Sequence, residues 1–164
     1  MIIVSDTTPI NYLVLIGEAE ILKHLFGQVI IPQAVYDEFH NPGTPQLVRA
    51  WADAAPSWLE IRQASAQFIA LVKKLGAGER EAIALAMELQ ASAILMDERK
   101  GTKEARKNNF LVVGTLALLE RASQRDLLDL AEAIDRLKQT NFRFPPADIV
   151  QEMLDKETAR RQQE

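Results

Sequence analysis

Met1-Ile2-Ile3-Val4-Ser5-Asp6-Thr7-Thr8-Pro9-Ile10 is the stretch on which the fold turns. Residues 1–5 form a short β-branched run, read as a buried strand. The run stops at Asp6. Thr8 then offers a helix N-cap, with Pro9 at the first helical position, where its missing N–H has no partner to lose. Ile10, Leu13, Val14 and Ile16 follow at roughly helical spacing, and Gly17 closes the segment. A strand that passes into a helix through one acidic residue reads as the start of an α/β unit.

The same pattern repeats outward from there. Ile21, Leu22 and Leu25 predict a short helix stopped near Gly27. Val29-Ile30-Ile31 is a second strand, and Pro32 opens a helix carrying Val35, Asp37, Glu38 and Phe39, ended by Asn41-Pro42-Gly43. Helices are predicted over 45–54 and 68–75, with a strand over 58–61 between them. Gly76-Ala77-Gly78 breaks the chain before the clearest helix, 79–89, whose Ile83, Ala86 and Leu89 share one face. Strands are expected over 93–96 and 111–113, and helices over 103–108, 115–121, 127–137 and beyond Pro146, fading into a polar end. Short apolar strands alternating with helices predict an α/β fold, with a parallel sheet covered on both faces. Ligands of such sheets gather outside the carboxyl ends of the strands.

Composition narrows the chemistry. A chain of 164 residues suits a single domain. It has no Cys, which excludes disulfides, iron–sulfur clusters and thiol nucleophiles, and its two His, His24 and His40, exclude histidine-rich metal sites. P-loop, dinucleotide-loop and nucleophile-elbow patterns are missing. No apolar run nears the ~20 residues of a membrane span. Ile2-Ile3-Val4 is too short for a signal peptide, so a cytoplasmic protein without membrane contact is expected. The net charge of −4 argues against nucleic-acid wrapping by overall charge, unless a metal or a local basic patch reverses the sign.

Carboxylates occupy the positions that the strand-end rule singles out. Asp6 follows the first strand, and Asp97 follows the strand over 93–96. A helix cap is the structural alternative for each, but Thr8 and Pro9 leave Asp6 without that task. Glu38 lies three residues beyond Val35, near the apolar face of its helix, with Asp37 as the neighbouring alternative. Glu79 shares the face of Ile83 and Ala86. Glu81 is its competitor, closer to the exposed side, and both acids also suit a helix N-terminus. Acids brought together repel each other, and oxygen donors without N or S ligands suit Mg²⁺ or Mn²⁺. Such a cation typically works on phosphates. Thr7 and Thr115 read either as helix caps or as supports for these carboxylates. Residues 99–107 carry five basic side chains and one acidic one. Arg99, Lys103, Arg106 and Lys107 fall near one helical face that starts two residues after Asp97, placing them either on a solvated surface or on a path for phosphates.

With these residues in place, the sequence resembles the PIN-domain family of metal-dependent ribonucleases. The resemblance rests on residues 2–9, Ile31-Pro32 with Val35 and Glu38, Gly78-Glu79 with the alanine-rich run 82–86, residues 94–99, and Val113-Gly114-Thr115. Gly78-Glu79 before the alanine-rich helix, with Gly114-Thr115 later, looks like a bacterial and archaeal branch near the VapC-type toxins. The resemblance implies a three-layer α/β/α sandwich with a central parallel sheet, formed as a PIN-like domain over 1–145 followed by a C-terminal helix and polar tail over 146–164. It implies a Mg²⁺ or Mn²⁺ site at Asp6, Glu38, Glu79 and Asp97 and hydrolysis of single-stranded RNA. Toxin relatives imply further a homodimer silenced by a cognate antitoxin. Many of those relatives have Asp where this chain has Glu79. The alternative is a PIN fold kept as a non-catalytic module that binds nucleic acid or protein.

Overall fold

In the computed structural model, which describes residues 1–163, five parallel strands form one sheet in the order β3-β2-β1-β4-β5. The strands are β1 (Ile3–Ser5), β2 (Val29–Pro32), β3 (Leu59–Arg62), β4 (Ala93–Leu95) and β5 (Leu111–Val113). The three inner strands β1, β2 and β4 are buried along their whole length, whereas the edge strands β3 and β5 are partly exposed. Val4, Ile31, Ile94 and Leu95 are wholly buried, as a parallel sheet covered on both faces requires. Register is set by the pairs Ile3↔Ala93, Val4↔Ile94 and Ser5↔Leu95, so the chain leaves β1 and β4 at the same level.

Between the strands run α1 (Thr7–Leu15), α2 (Ile21–Phe26), α3 (Gln33–Glu38), α4 (Gln46–Asp53), α5 (Ala66–Ile69), α6 (Ala77–Leu89) and α7 (Arg99–Lys107). The connections from β1 through β3 move one way along the sheet, and those from β3 through β5 move the other. Right-handed crossovers put α1, α2 and α4 on one face and α5, α6 and α7 on the other, giving the α/β/α sandwich. The short α3, directly after β2, stands at the carboxyl end of the sheet and packs on α6. The direction reverses between β1 and β4, which is the switch point where such sheets open a crevice. Helix α6 is the central one. Ala82, Ile83, Ala84, Leu85 and Ala86 are all buried, because the small alanines let the helix lie close to the sheet and to α3 and α5. Truncating Leu85 or Ile94 to Ala there removes on the order of 2–5 kcal/mol.

Several expected boundaries shift, each for a local reason. Helix α1 starts at Thr7, with Asp6 rather than Thr8 in the N-cap position. The helix expected over 68–75 shrinks to α5, after which Leu71 N–H and Val72 N–H bond three residues back, to Phe68 and Ile69, in tight turns. Helix α7 starts at Arg99 rather than Lys103, because the Glu98 side chain accepts from Gly101 N–H at 2.7 Å and caps it.

The chain divides into two compact units, one over Met1–Thr115 and one from Leu116 onward. The second holds most of α8 (Thr115–Gln124), with α9 (Leu130–Lys138) and α10 (Ala147–Gln162). Asp129 accepts from Glu132 N–H at 3.0 Å and fixes the start of α9, later than the expected 127. Leu118, Leu119, Ala133, Ile134 and Leu137 supply its buried apolar side chains. Glu164, the last residue of the expected polar tail, lies outside the described residues. No helix among the described residues is long and apolar enough to cross a membrane.

Candidate metal centre

Asp6 ends β1 and is tied to the neighbouring strand by its backbone N–H, which donates to Leu95 O at 2.8 Å. It occupies the N-cap position of α1, yet its side chain makes no capping bond. Only 1% of the residue is exposed, and neither carboxylate oxygen has a hydrogen-bond partner. Burial pushes its pKa well above the usual carboxylate range, and the negative charges of Glu79, Glu38 and Asp97 add to the rise. The Thr7 N–H offsets part of it as a nearby dipole, outside the geometry of a true hydrogen bond. The three acids that act on Asp6 are the other three that the sequence singles out.

Those three are each held differently. Glu38 is the last residue of α3. The Thr7 hydroxyl donates to its Oε2, and Gly78 N–H donates to its Oε1 at 3.0 Å. Asp97 follows β4 by two residues. Its Oδ1 accepts from Thr115 N–H at 2.9 Å and its Oδ2 from the Thr115 hydroxyl at 2.5 Å. Burial raises the Asp97 pKa while these two bonds lower it. Glu98, not Asp97, caps α7, so the capping role available to Asp97 toward that helix is already filled. Glu79 stands in the first turn of α6 and is half-buried. Burial raises its pKa, with Glu38 and Glu98 adding to it.

Two glycines leave the space that these carboxylates occupy. A Cβ on Gly114 would lie 2.8 Å from Asp97 Oδ1, and one on Gly78 would lie 2.6 Å from Glu38 Oε1. Both distances are closer than side chains allow. The Gly78-Glu79 and Gly114-Thr115 pairs therefore have a common logic: the first residue makes room, and the second is an acid or a donor of the cluster.

Among the described residues, no three carboxylate, histidine or cysteine side chains converge into a closed metal-ligand set. A Mg²⁺-sized cation does not need one. It keeps several waters and binds through one or two carboxylates together with substrate phosphates. The two unpartnered oxygens of Asp6, buried among negative charges, suit a hard dication in this way, and so does an all-oxygen donor set.

The remaining sequence candidates fall on either side of this centre. Arg99, Lys103 and Arg106 line a groove together with Asp97 and Thr102, a residue the sequence reading passed over although it stands three positions after Arg99. Lys107, at the end of α7, does not line it. Glu81 does not act on Asp6 but lines a neighbouring cleft with Asp37 and with Glu38, which the cleft shares with the four acids. Burial raises its pKa, with the charges of Asp37 and Glu38 adding to the shift. His40 bridges Tyr36 O at 3.0 Å and Asp53 Oδ1 at 2.7 Å, joining the end of α3 to α4. A family model described as a PIN domain matches residues 2–158. No curated protein and no solved structure gives a match.

Proposed function

Because this chain belongs to the PIN-domain family, whose fold is a nuclease-type fold, we propose that it is a metal-dependent endoribonuclease that hydrolyses single-stranded RNA. The observation that carries this reading is Asp6, a buried carboxylate with both oxygens unpartnered among three other acids. Structural carboxylates are paired when buried; one left unpaired costs stability and calls for a cation. Asp6 and Asp97 would be the chief ligands of Mg²⁺ or Mn²⁺, with Glu38 and Glu79 completing the site directly or through water. Bound there, the cation lowers the pKa of a water and offsets the charge that develops at phosphorus.

The chain's own residues supply the rest. Thr7 and Thr115 are positioning residues that fix the Glu38 and Asp97 carboxylates. Arg99, Lys103 and Arg106, beginning beside Asp97, draw phosphates toward the acids, and Lys107 extends the positive charge. This local field is what allows a protein of net charge −4 to hold RNA. The resemblance to VapC-type toxins extends the reading to a cytoplasmic homodimer silenced by a cognate antitoxin.

One observation favours a second reading. Glu38 and Asp97 are fully hydrogen-bonded without a cation, as they would be in a PIN fold that binds nucleic acid or protein without turnover. The test is cleavage of a mixed single-stranded RNA pool with Mg²⁺ or Mn²⁺, by wild type and by Asp6→Asn. Cleavage by wild type alone supports the nuclease. Equal cleavage by both removes Asp6 from the site. No cleavage by either, with no uptake of Mn²⁺ by the wild type, selects the second reading.

A further inference from the structure

The cleft beside Glu38 differs in character from the groove beside Asp97. It lies at the β3 end of the sheet's carboxyl edge, lined by Gln33, Asp37 and Glu38 of α3, Asn41 after it, Gln63 just after β3, and Glu81 of α6. Its walls carry three carboxylates and three amides but no Lys or Arg. It therefore repels phosphate and offers hydrogen bonds instead. The α7 groove has the opposite character, with Arg99, Lys103 and Arg106 along one helix face. Glu38 borders the first and Asp97 the second. Along the strand order, hydrogen-bonding cleft, four acids and basic groove thus follow one another across one edge of the sheet.

The cleft is also held in shape. Gln33 Nε2 donates to Asp37 Oδ1 at 2.9 Å, which keeps that carboxylate turned along α3. Thr44 Oγ1 at 2.8 Å and Asn41 N–H at 3.2 Å both donate to Glu38 O and fix the turn that carries Asn41. The cleft volume, about 460 Å³, falls in the ordinary range for small-molecule sites.

We infer that this cleft is the nucleobase pocket of the nuclease, and that Asp37 and Glu81 read the donor edge of a guanine next to the cleaved phosphate. The inference rests on the nuclease reading above and adds its specificity. Ionised carboxylates only accept hydrogen bonds. Guanine presents two adjacent donors on its pairing edge, N1–H and the N2 amino group, which one carboxylate can receive together. Adenine and cytosine present a single amino group there. The uracil N3–H is flanked by two carbonyl oxygens that a carboxylate repels. Unstacked bases of single-stranded RNA are read on this edge. Gln63 and Asn41 supply donors for the guanine O6 side, and Glu38, itself one of the four acids, links the pocket to the other three.

The test is binding of fluorescein-labelled hexauridylate, and of the same oligonucleotide with one U replaced by G, A or C. It is carried out with Mg²⁺ in an Asp6→Asn background, so that no strand is cut. The G-containing strand should bind on the order of 10-fold more tightly than hexauridylate, as expected for one two-bond contact to a base. Adding Asp37→Asn or Glu81→Gln should reduce that ratio toward unity while leaving hexauridylate binding largely intact. Because the readout is a ratio between strands, a smaller folded fraction cancels out of it. Equal affinity for all four strands, or a guanine preference that survives both substitutions, overturns the inference alone. Absence of binding to every strand overturns it together with the RNA reading on which it rests.

Discussion

Two buried carboxylates, one in each compact unit, show how differently this chain treats the same chemical group. Glu157, in the second unit, is 8% exposed and surrounded by partners. Arg160 reaches its Oε1 at 2.7 Å and Oε2 at 3.1 Å, and Arg161 Nε reaches Oε1 at 3.0 Å. The Arg160 guanidinium, above all, pulls the Glu157 pKa from 4.5 to about 2. Arg160 also donates to Ser123 O and so ties α10 to α8. Asp6, in the first unit, is more deeply buried and has no partner, and its pKa moves the opposite way. A paired buried charge holds structure together. An unpaired one, kept at the switch point of a parallel sheet, costs stability, a cost that the proposed cation would offset.

The largest expected effect separates stability from activity at Asp6. Asp6→Asn should lower RNA cleavage by at least about 10²–10³-fold, the loss typical of removing one preorganised electrostatic group that stabilises a transition state. The same change should leave the metal-free protein as stable as wild type or more so. Asp6 has a folded pKa above its unfolded value. Stability is thus lost as pH rises past the ordinary Asp range, because the unfolded chain then holds fewer protons than the folded one. Thermal melts at pH 5 and pH 8 should show the advantage of Asp6→Asn growing with pH. Mn²⁺ should raise the wild-type Tm and not that of Asp6→Asn. A Tm lowered by several degrees in Asp6→Asn, at both pH values, would make Asp6 a structural residue like Glu157.

Glu157 should give the mirror image. Glu157→Gln should leave cleavage unchanged and cost about 1–2 kcal/mol of stability, the lower part of the range for bonds to charged groups. The lower figure applies because the Arg161 side chain is 42% exposed and solvent screens it. The sign of the pH dependence reverses as well. The Glu157 folded pKa is depressed, so its contribution is full above about 4.5 and is lost as pH falls toward about 2. Urea denaturation from pH 2 to pH 6 should show the gap between wild type and Glu157→Gln opening across that window. A gap that stays constant with pH would mean that packing, not charge, holds α10 in place.

The features legible in sequence were those fixed by period and position. The short apolar runs mark all five strands, and the rule about strand ends singles out Asp6 and Asp97 from position alone. Less legible was how each acid is satisfied, because that depends on which donor happens to face it across the fold. Thr7 lies 31 residues from Glu38, and Thr115 lies 18 from Asp97. Neither contact leaves a trace in local spacing, so in sequence each threonine reads first as a helix cap. The early start of α7 was hidden for a related reason. Gly101 looks like a helix breaker, but its N–H is the group that Glu98 caps. The choice of Glu79 over Glu81 is legible, since Glu79 shares the face of Ile83 and Ala86, but the cleft that Glu81 lines with Gln63 and Asn41 is not, because it is assembled from distant parts of the chain.

Asp97 stands between the two extremes and offers the finest test of the comparison. Like Glu157 it is hydrogen-bonded through both oxygens, and like Asp6 burial raises its pKa. What keeps it available is the absence of a side chain at Gly114, where a Cβ would sit 2.8 Å from Oδ1. The carboxylate cannot swing far without losing Thr115, so Gly114→Ala should displace it by a few tenths of an ångström. A misplacement of about 1 Å can cost 10²-fold, and this smaller one should lower cleavage about 10-fold. The Tm should fall by only a few degrees. If Asp97 acts by its position, then higher Mn²⁺ should recover part of the lost rate in Gly114→Ala, and none in Asp97→Asn. An unchanged rate in Gly114→Ala would place Asp97 with Glu157, as an acid whose hydrogen bonds are its whole purpose.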